Sequence, residues 1–209
     1  MGGITFYTHP NSRGRIVRWM LEELGEPYET RVLTYGPAMK TPEYLAINPM
    51  GKVPAIVHGD TVVSECAAIC AYLADAFPDK GLAPPLGERG AYYRALFFGA
   101  GPVEAAVTAT DLKIEVPAQK VGSVGYGSPE LTFATIERMV EQRPYVAGDS
   151  FTAADVYFGA QVIWGLMFKL MPARPALEAY AARLTAREAY RRASELDDAA
   201  AAALDAERG

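Results

Sequence analysis

Residues 48–73 read NPMGKVPAIVHGDTVVSECAAICAYL and pass through turn, proline, strand, tight turn, strand and helix. Pro54 opens the first strand, where a missing N–H does least harm. Gly59-Asp60 makes the hairpin turn between Ile56-Val57-His58 and Thr61-Val62-Val63. Ser64 and Glu65 then begin a helix carrying Cys66, Ala67, Ile69, Cys70 and Leu73. Polar and acidic side chains favour such a start, because the first helical N–H groups have no partners within the helix. A helix N-terminus beside a strand preceded by Val53, with its free main-chain edge, can hold a short peptide. The edge pairs with the peptide backbone, and the helix start takes its carboxylate.

Upstream, strand and helix signals alternate. Ile4 to Tyr7 reads as a strand, and Ser12 to Leu24 as a helix with Ile16, Trp19, Met20 and Leu24 on one face. Tyr28 to Leu33 reads as a second strand, and a short helix falls around Pro42 to Ala46. Together with the hairpin and its helix this is a thioredoxin-like α/β layout, its first two strands parallel across a crossover helix. The expected domains are residues 1–78, a proline- and glycine-rich linker at 79–88, and an all-α domain over 89–209. The helical blocks expected there run from Glu88 to about Val107 with a kink at Pro102, then Pro129 to Glu141, Ala153 to Leu170, Ala176 to Leu184 and Arg187 to about Leu196. Residues 117–128 read as a mobile connection. Thr152 and Asp155 are placed to form a capping box, a stability device of about 1 kcal/mol.

Composition narrows the function classes. Of 209 residues, 50% are hydrophobic and 22% charged, which is globular rather than disordered. A net charge of −5 and pI of 5.2 give no reason to expect nucleic acid or an anionic membrane as partner. No segment has the pattern of a signal peptide or a bilayer span. The two cysteines, four apart on one helix, suit neither a disulfide nor a metal site. A cytoplasmic location is the expectation.

The motif NP-x-GKVP, its hairpin, and the acidic-plus-small pair opening the next helix resemble the glutathione site of the cytosolic glutathione transferases, bacterial-type and of no assigned class. FYTHPNSRGRIVRWMLEELGEPYE (6–29) looks like that family's first strand and helix, and AGDSFTAADVYFGAQV (147–162) like its capped sixth helix. With three such segments in the right order, the resemblance extends over nearly the whole chain. The resemblance implies a glutathione-binding α/β domain, a helical domain for the second substrate, and transfer of the glutathione thiol to a small apolar electrophile. The alternatives are a glutathione-dependent peroxidase or disulfide reductase, or a non-catalytic binding or regulatory protein of the same fold. Glutathione is then a co-substrate, and no metal is implied.

Such chemistry needs a thiol that ionises near neutral pH, whereas a free thiol has a pKa of about 8.5. A helix N-terminus, a hydroxyl or amide donor and a cation can supply the stabilisation. The loop from the first strand to the first helix holds Tyr7, Asn11, Ser12 and Arg13. By resemblance, Ser12 fits the serine-type donor, Asn11 lies on the more usual position when aligned from Leu24-Gly25, Tyr7 occupies the tyrosine-type place, and Arg13 supports the thiolate. Structural roles compete with these: Ser12 as a helix cap, Tyr7 as core, and Arg13, Arg15 and Arg18 as a solvated face with a partner in Glu22. His9 reads as a loop residue.

For binding, the resemblance gives Val53 to the cysteinyl backbone ahead of a cis Pro54, Glu65 to the γ-glutamyl amine and Lys52 to a carboxylate. Cys66 stands where serine is usual. A thiol is a poor donor, so that contact would fall to the Cys66 N–H. Tyr93, Phe97 and Phe98, among Tyr92, Leu96 and Trp164, are the candidates for an apolar acceptor pocket. With 12 tyrosines, eight phenylalanines and two tryptophans, the chain carries more aromatic surface than two small cores need, which argues for a two-fold homodimer.

Overall fold

A computed structural model describes residues 2–207. Residues up to Lys80 together with those from Ala186 form one compact unit, and Gly81–Thr185 form the other. The first is thioredoxin-like and the second is all helical. Its elements are β1 (Ile4–Thr8), α1 (Gly14–Leu24), β2 (Tyr28–Val32), α2 (Pro42–Ile47), β3 (Ala55–His58), β4 (Thr61–Ser64) and α3 (Cys66–Ala76). The strands lie in the order β2-β1-β3-β4. β1 and β2 are parallel, and the other two pairings are antiparallel.

Local chemistry accounts for these elements. α1 turns Ile16, Val17, Met20, Leu21 and Leu24 inward, each nearly or wholly buried, and ends on Gly25 at φ 69° with its N–H on the Leu21 carbonyl. Full burial of such a side chain stabilises by about 1.5–3 kcal/mol. Phe6 from β1, Ile56 from β3, and Ile69, Cys70 and Leu73 from α3 complete this core. α2 starts at Pro42 with Thr41 accepting the Tyr44 N–H.

In the helical unit, α4 (Gly90–Phe98) passes through a wide turn at Gly99–Val103 into α5 (Glu104–Asp111). Pro102 lies in that turn, where its missing N–H loosens the ladder as expected. α6 (Pro129–Glu141), α7 (Ala153–Met167) and α8 (Pro175–Thr185) follow. The expected capping box forms. Thr152 accepts the Ala154 N–H at 3.3 Å and gives its own N–H to Asp155 at 2.9 Å. Asp155 also accepts from the Val146 N–H and the Tyr180 hydroxyl, both at 2.8 Å. Residues 117–128, read as a mobile connection, contain a 3₁₀ turn at Ala118–Ser123.

The boundary of the helical unit needs correction. The sequence reading put 89–209 in one helical domain, but α9 (Glu188–Ala206) packs on α1 in the first unit. It also runs further than Leu196, because the alanine-rich tail favours helix. Its partners explain the placement. Asp197 holds Arg18 at 2.7 Å, Asp198 holds Arg15 at 2.6 Å, and Arg187 and Arg192 meet Glu23 and Glu22. Tyr190 sets its ring edge-on to Trp19 at 5.0 Å. Arg18 is therefore not on a solvated face: its side chain is 5% exposed and that of Asp197 is 1% exposed. Burial alone would lower the Arg18 pKa, but the charge of Asp197 and its hydrogen bond raise it overall. Burial pushes the Asp197 carboxyl up against the pull of Arg18.

Removing one partner of such a pair strands the other charge out of water. Asp197→Ala should lower stability by about 3–5 kcal/mol, while Arg18→Met combined with Asp197→Leu should recover most of that loss. Urea denaturation of the wild type, Asp197→Ala and the double variant measures both.

Candidate functional site

The strand register gathers three separate segments at one end of the sheet. Tyr7 lies opposite Ala55, and Ala55 opposite Ser64. The next residues along these strands are the β1–α1 loop, the Lys52-Val53-Pro54 approach to β3, and Glu65-Cys66 at the start of α3. Tyr7, Asn11, Ser12, Arg13, Val53, Pro54, Glu65 and Cys66 are thereby brought together. Cys66 ties two of the segments, its thiol donating to the Arg13 carbonyl at 3.5 Å.

The segment leading to Val53 is held by its own hydrogen bonds. The Lys52 carbonyl accepts from the Tyr44 hydroxyl at 2.6 Å and the Asn48 amide at 2.7 Å. Burial, with a smaller push from Tyr7, raises the Tyr44 phenol to about 12, so it keeps its proton for this bond. Lys40 spans the Met50 and Gly51 carbonyls, 3.0 Å from each. Gly51 has φ 58°, and a Cβ there would sit 2.6 Å from both the Met39 carbonyl and the Lys40 ammonium. The Val53–Pro54 bond is cis, as the resemblance implied. Among the described residues no main-chain hydrogen bond engages Val53, which is half-buried. The Lys52 side chain is exposed.

α3 begins without a side-chain cap, which corrects the expectation that Ser64 and Glu65 would supply one. Glu65 occupies the cap position at φ 67°, ψ 119°, far from the extended backbone a capping residue adopts. A non-glycine residue there carries strain of about 1–3 kcal/mol, which characteristically collects at ligand clamps. No side chain caps the start of α3, and a helix N-terminus is suited to a carboxylate. The Glu65 side chain is exposed beside them.

The β1–α1 loop separates the four candidates for thiol activation. Ser12 donates to the His9 carbonyl at 2.6 Å and accepts the Gly14 N–H at 2.9 Å, so its only proton is spent inside the loop. Gly14 is required there, since a Cβ would fall 2.0 Å from the Thr8 hydroxyl oxygen. Asn11 has both backbone groups engaged and its side chain exposed. Tyr7 is half-buried, with its ring 5.6 Å from that of Tyr44. Arg13 is exposed, and Arg15 reaches the Pro10 carbonyl at 2.6 Å.

One residue of this site escaped the sequence reading, as did the packing of another. Tyr35, beyond β2, donates its hydroxyl to the Asn11 carbonyl at 2.7 Å and lays its ring 4.1 Å from that of His9. His9 lies in the loop, as read, and is buried there. Neither carries a spacing or motif that could have revealed the contact, because it depends on a loop doubling back. In the helical unit, Tyr93 and Phe97 are exposed on α4, Phe98 is half-buried, and Tyr92 and Leu96 are core.

Residues 12–76 match the family described as glutathione S-transferase, N-terminal domain. Glutathione S-transferase 1 of Dianthus caryophyllus is 30% identical over 141 residues, 59% of this chain and 58% of that protein, so the alignment spans less than two thirds of the relative. A glutathione transferase structure from Methylococcus capsulatus is 28% identical, with a TM-score of 0.73 over 93% of this chain and 98% of the other. A sphingomonad glutathione S-transferase, solved in complex with glutathione, is 25% identical with a TM-score of 0.75, covering 93% and 98% of the two chains. Residues 12–76 thus carry the match to the glutathione S-transferase N-terminal domain, and the chain as a whole is similar to glutathione S-transferases.

Strain at Glu65 has a direct consequence for stability. Glu65→Gly should raise unfolding stability by about 1 kcal/mol, since glycine accepts positive φ without cost from a Cβ. Urea unfolding midpoints of the two proteins check this.

Proposed function

We propose that this protein binds glutathione at the end of the sheet and activates its thiol for transfer to a small apolar electrophile. The carrying observation is the meeting of Val53, the uncapped α3 N-terminus with strained Glu65, and the β1–α1 loop within one unit. The tripeptide's cysteinyl backbone pairs with Val53, as an added strand would. Its γ-glutamyl carboxylate takes the first N–H groups of α3, and Glu65 takes the γ-glutamyl amine. Lys52 answers a second carboxylate. The sphingomonad relative's complex with glutathione supports the choice of ligand.

Activation falls to Asn11 in this reading, because Ser12 has committed its proton to the His9 carbonyl. The Asn11 carboxamide donates to the thiolate, Arg13 adds positive charge, and the N-terminus of α1 stabilises the anion. Cys66 contributes its backbone N–H, its thiol being turned to the Arg13 carbonyl. The electrophile takes the apolar rings of Tyr93, Phe97 and Phe98. A cytoplasmic homodimer completes the proposal; the exposed apolar side chains on α4 support it.

Calorimetry with reduced glutathione tests the ligand. The wild type should bind, and Glu65→Ala should bind roughly 10- to 100-fold more weakly, the scale of one charge-assisted hydrogen bond. Cys66→Ser should bind equally well or tighter. Undiminished affinity in Glu65→Ala would contradict the assignment.

A further inference from the structure

The turn that presents Asn11 has almost no slack in its hydrogen bonding. The His9 carbonyl accepts from Ser12 at 2.6 Å, the Pro10 carbonyl from Arg15 at 2.6 Å, and the Asn11 carbonyl from Tyr35 at 2.7 Å. Pro10 has no N–H to place. The Asn11 N–H goes to His9 Nδ1 at 3.1 Å. A backbone N–H can only donate, so Nδ1 must be the acceptor and the imidazole is neutral with its proton on the other nitrogen. The His9 ring is 3% exposed and lies against Tyr35, with the ring planes 33° apart.

We propose that His9 is a positioning residue: its neutral imidazole, accepting the Asn11 N–H beneath Tyr35, sets the turn that aims the Asn11 carboxamide at the bound thiol. This rests on the glutathione reading for its target, though not for its geometry. An imidazolium carries N–H groups on both nitrogens, and its Nδ1–H would confront the Asn11 N–H. The turn then opens, and Asn11 loses its aim. The ionisable side chains around the turn are Tyr7 on β1, Tyr35 beyond β2, Arg13 and Arg15 on α1, Cys66 at the start of α3, and Asp198 on α9 through its bond to Arg15. His9 is the one imidazole at the turn, and its Nδ1 takes the Asn11 N–H.

Two substitutions separate this role from simple packing. His9→Phe keeps an aromatic ring for Tyr35 and removes the acceptor. His9→Asn restores a side-chain oxygen that accepts the N–H two residues on and does not titrate. With glutathione and a haloaromatic acceptor at neutral pH, His9→Phe should lower kcat by about tenfold or more, the scale on which lost positioning acts, with KM for glutathione little changed. His9→Asn should keep kcat within a few-fold and lose the wild type's acid limb in kcat against pH. Amide hydrogen exchange reads the same turn without any ligand. The Asn11 amide should be protected in the wild type at neutral pH, exposed on acidification and in His9→Phe, and protected at both pH values in His9→Asn. Equal Asn11 protection in the wild type and His9→Phe would overturn the proposal, as would equal impairment of both variants. A wild type that fails to bind glutathione in calorimetry refutes the ligand assignment alone; the exchange series then decides the His9 role.

Discussion

A guanidinium and a carboxylate, both nearly out of water, lie 2.7 Å apart between α1 and α9. Arg18 spreads its charge further, with its guanidinium carbon 5.3 Å from the centre of the Phe6 ring and its Nη1 3.2 Å from the Tyr28 hydroxyl. One oxygen of Asp197 has no hydrogen-bond partner among the described residues. The pair is therefore not fully compensated, and buried pairs of this kind stabilise chiefly by making the loss of either partner costly. What it secures is the seat of α1. Trp19 and Tyr190, Glu23 and Arg187, and Arg15 and Asp198 line up along the same helix pair. The last of these brings the constraint to the candidate site, because Arg15 also holds the Pro10 carbonyl.

From that seat the site is built by satisfying backbone groups. Side chains serve the carbonyls of His9, Pro10, Asn11, Met50, Gly51 and Lys52. Against this, among the described residues no main-chain hydrogen bond engages Val53 and no side chain caps α3, and Glu65 is held in a strained backbone beside them. A rigid surround with a few open main-chain groups is what recognition of an extended tripeptide asks for, since the ordering cost is met in folding and not at binding. The proposed thiol activation would have the same basis: the donor must already be aimed when the anion forms.

Much of this was legible in the sequence. Pro54, Gly59-Asp60 and the alternation around them placed the hairpin to within a residue, and Thr152 with Asp155 marked the cap of α7. Pro129 to Glu141 could be read directly, because Ser128 and Pro129 punctuate its start. The failures share one cause. Arg18 looked like a surface residue because charge at helical spacing gives no sign of a partner 179 positions away. For the same reason the charged α9 was assigned to the helical domain rather than to α1. Tyr35 had no local pattern at all. Ser12 was the favoured donor on residue type, and only the geometry of its two hydrogen bonds reassigned it to holding the loop. Long-range pairing and the direction of a hydroxyl proton are tertiary facts, and neither leaves a periodic trace.

On the proposed reading, the β1–α1 loop stabilises the ionised thiol of bound glutathione. Thiolate absorbance of the glutathione complex, titrated against pH and corrected for protein alone, measures it directly. The bound thiol should ionise one or more units below the value of about 8.5 for a free thiol, with the midpoint returning toward that value in Asn11→Ala. A bound thiol that titrates like free glutathione would contradict it.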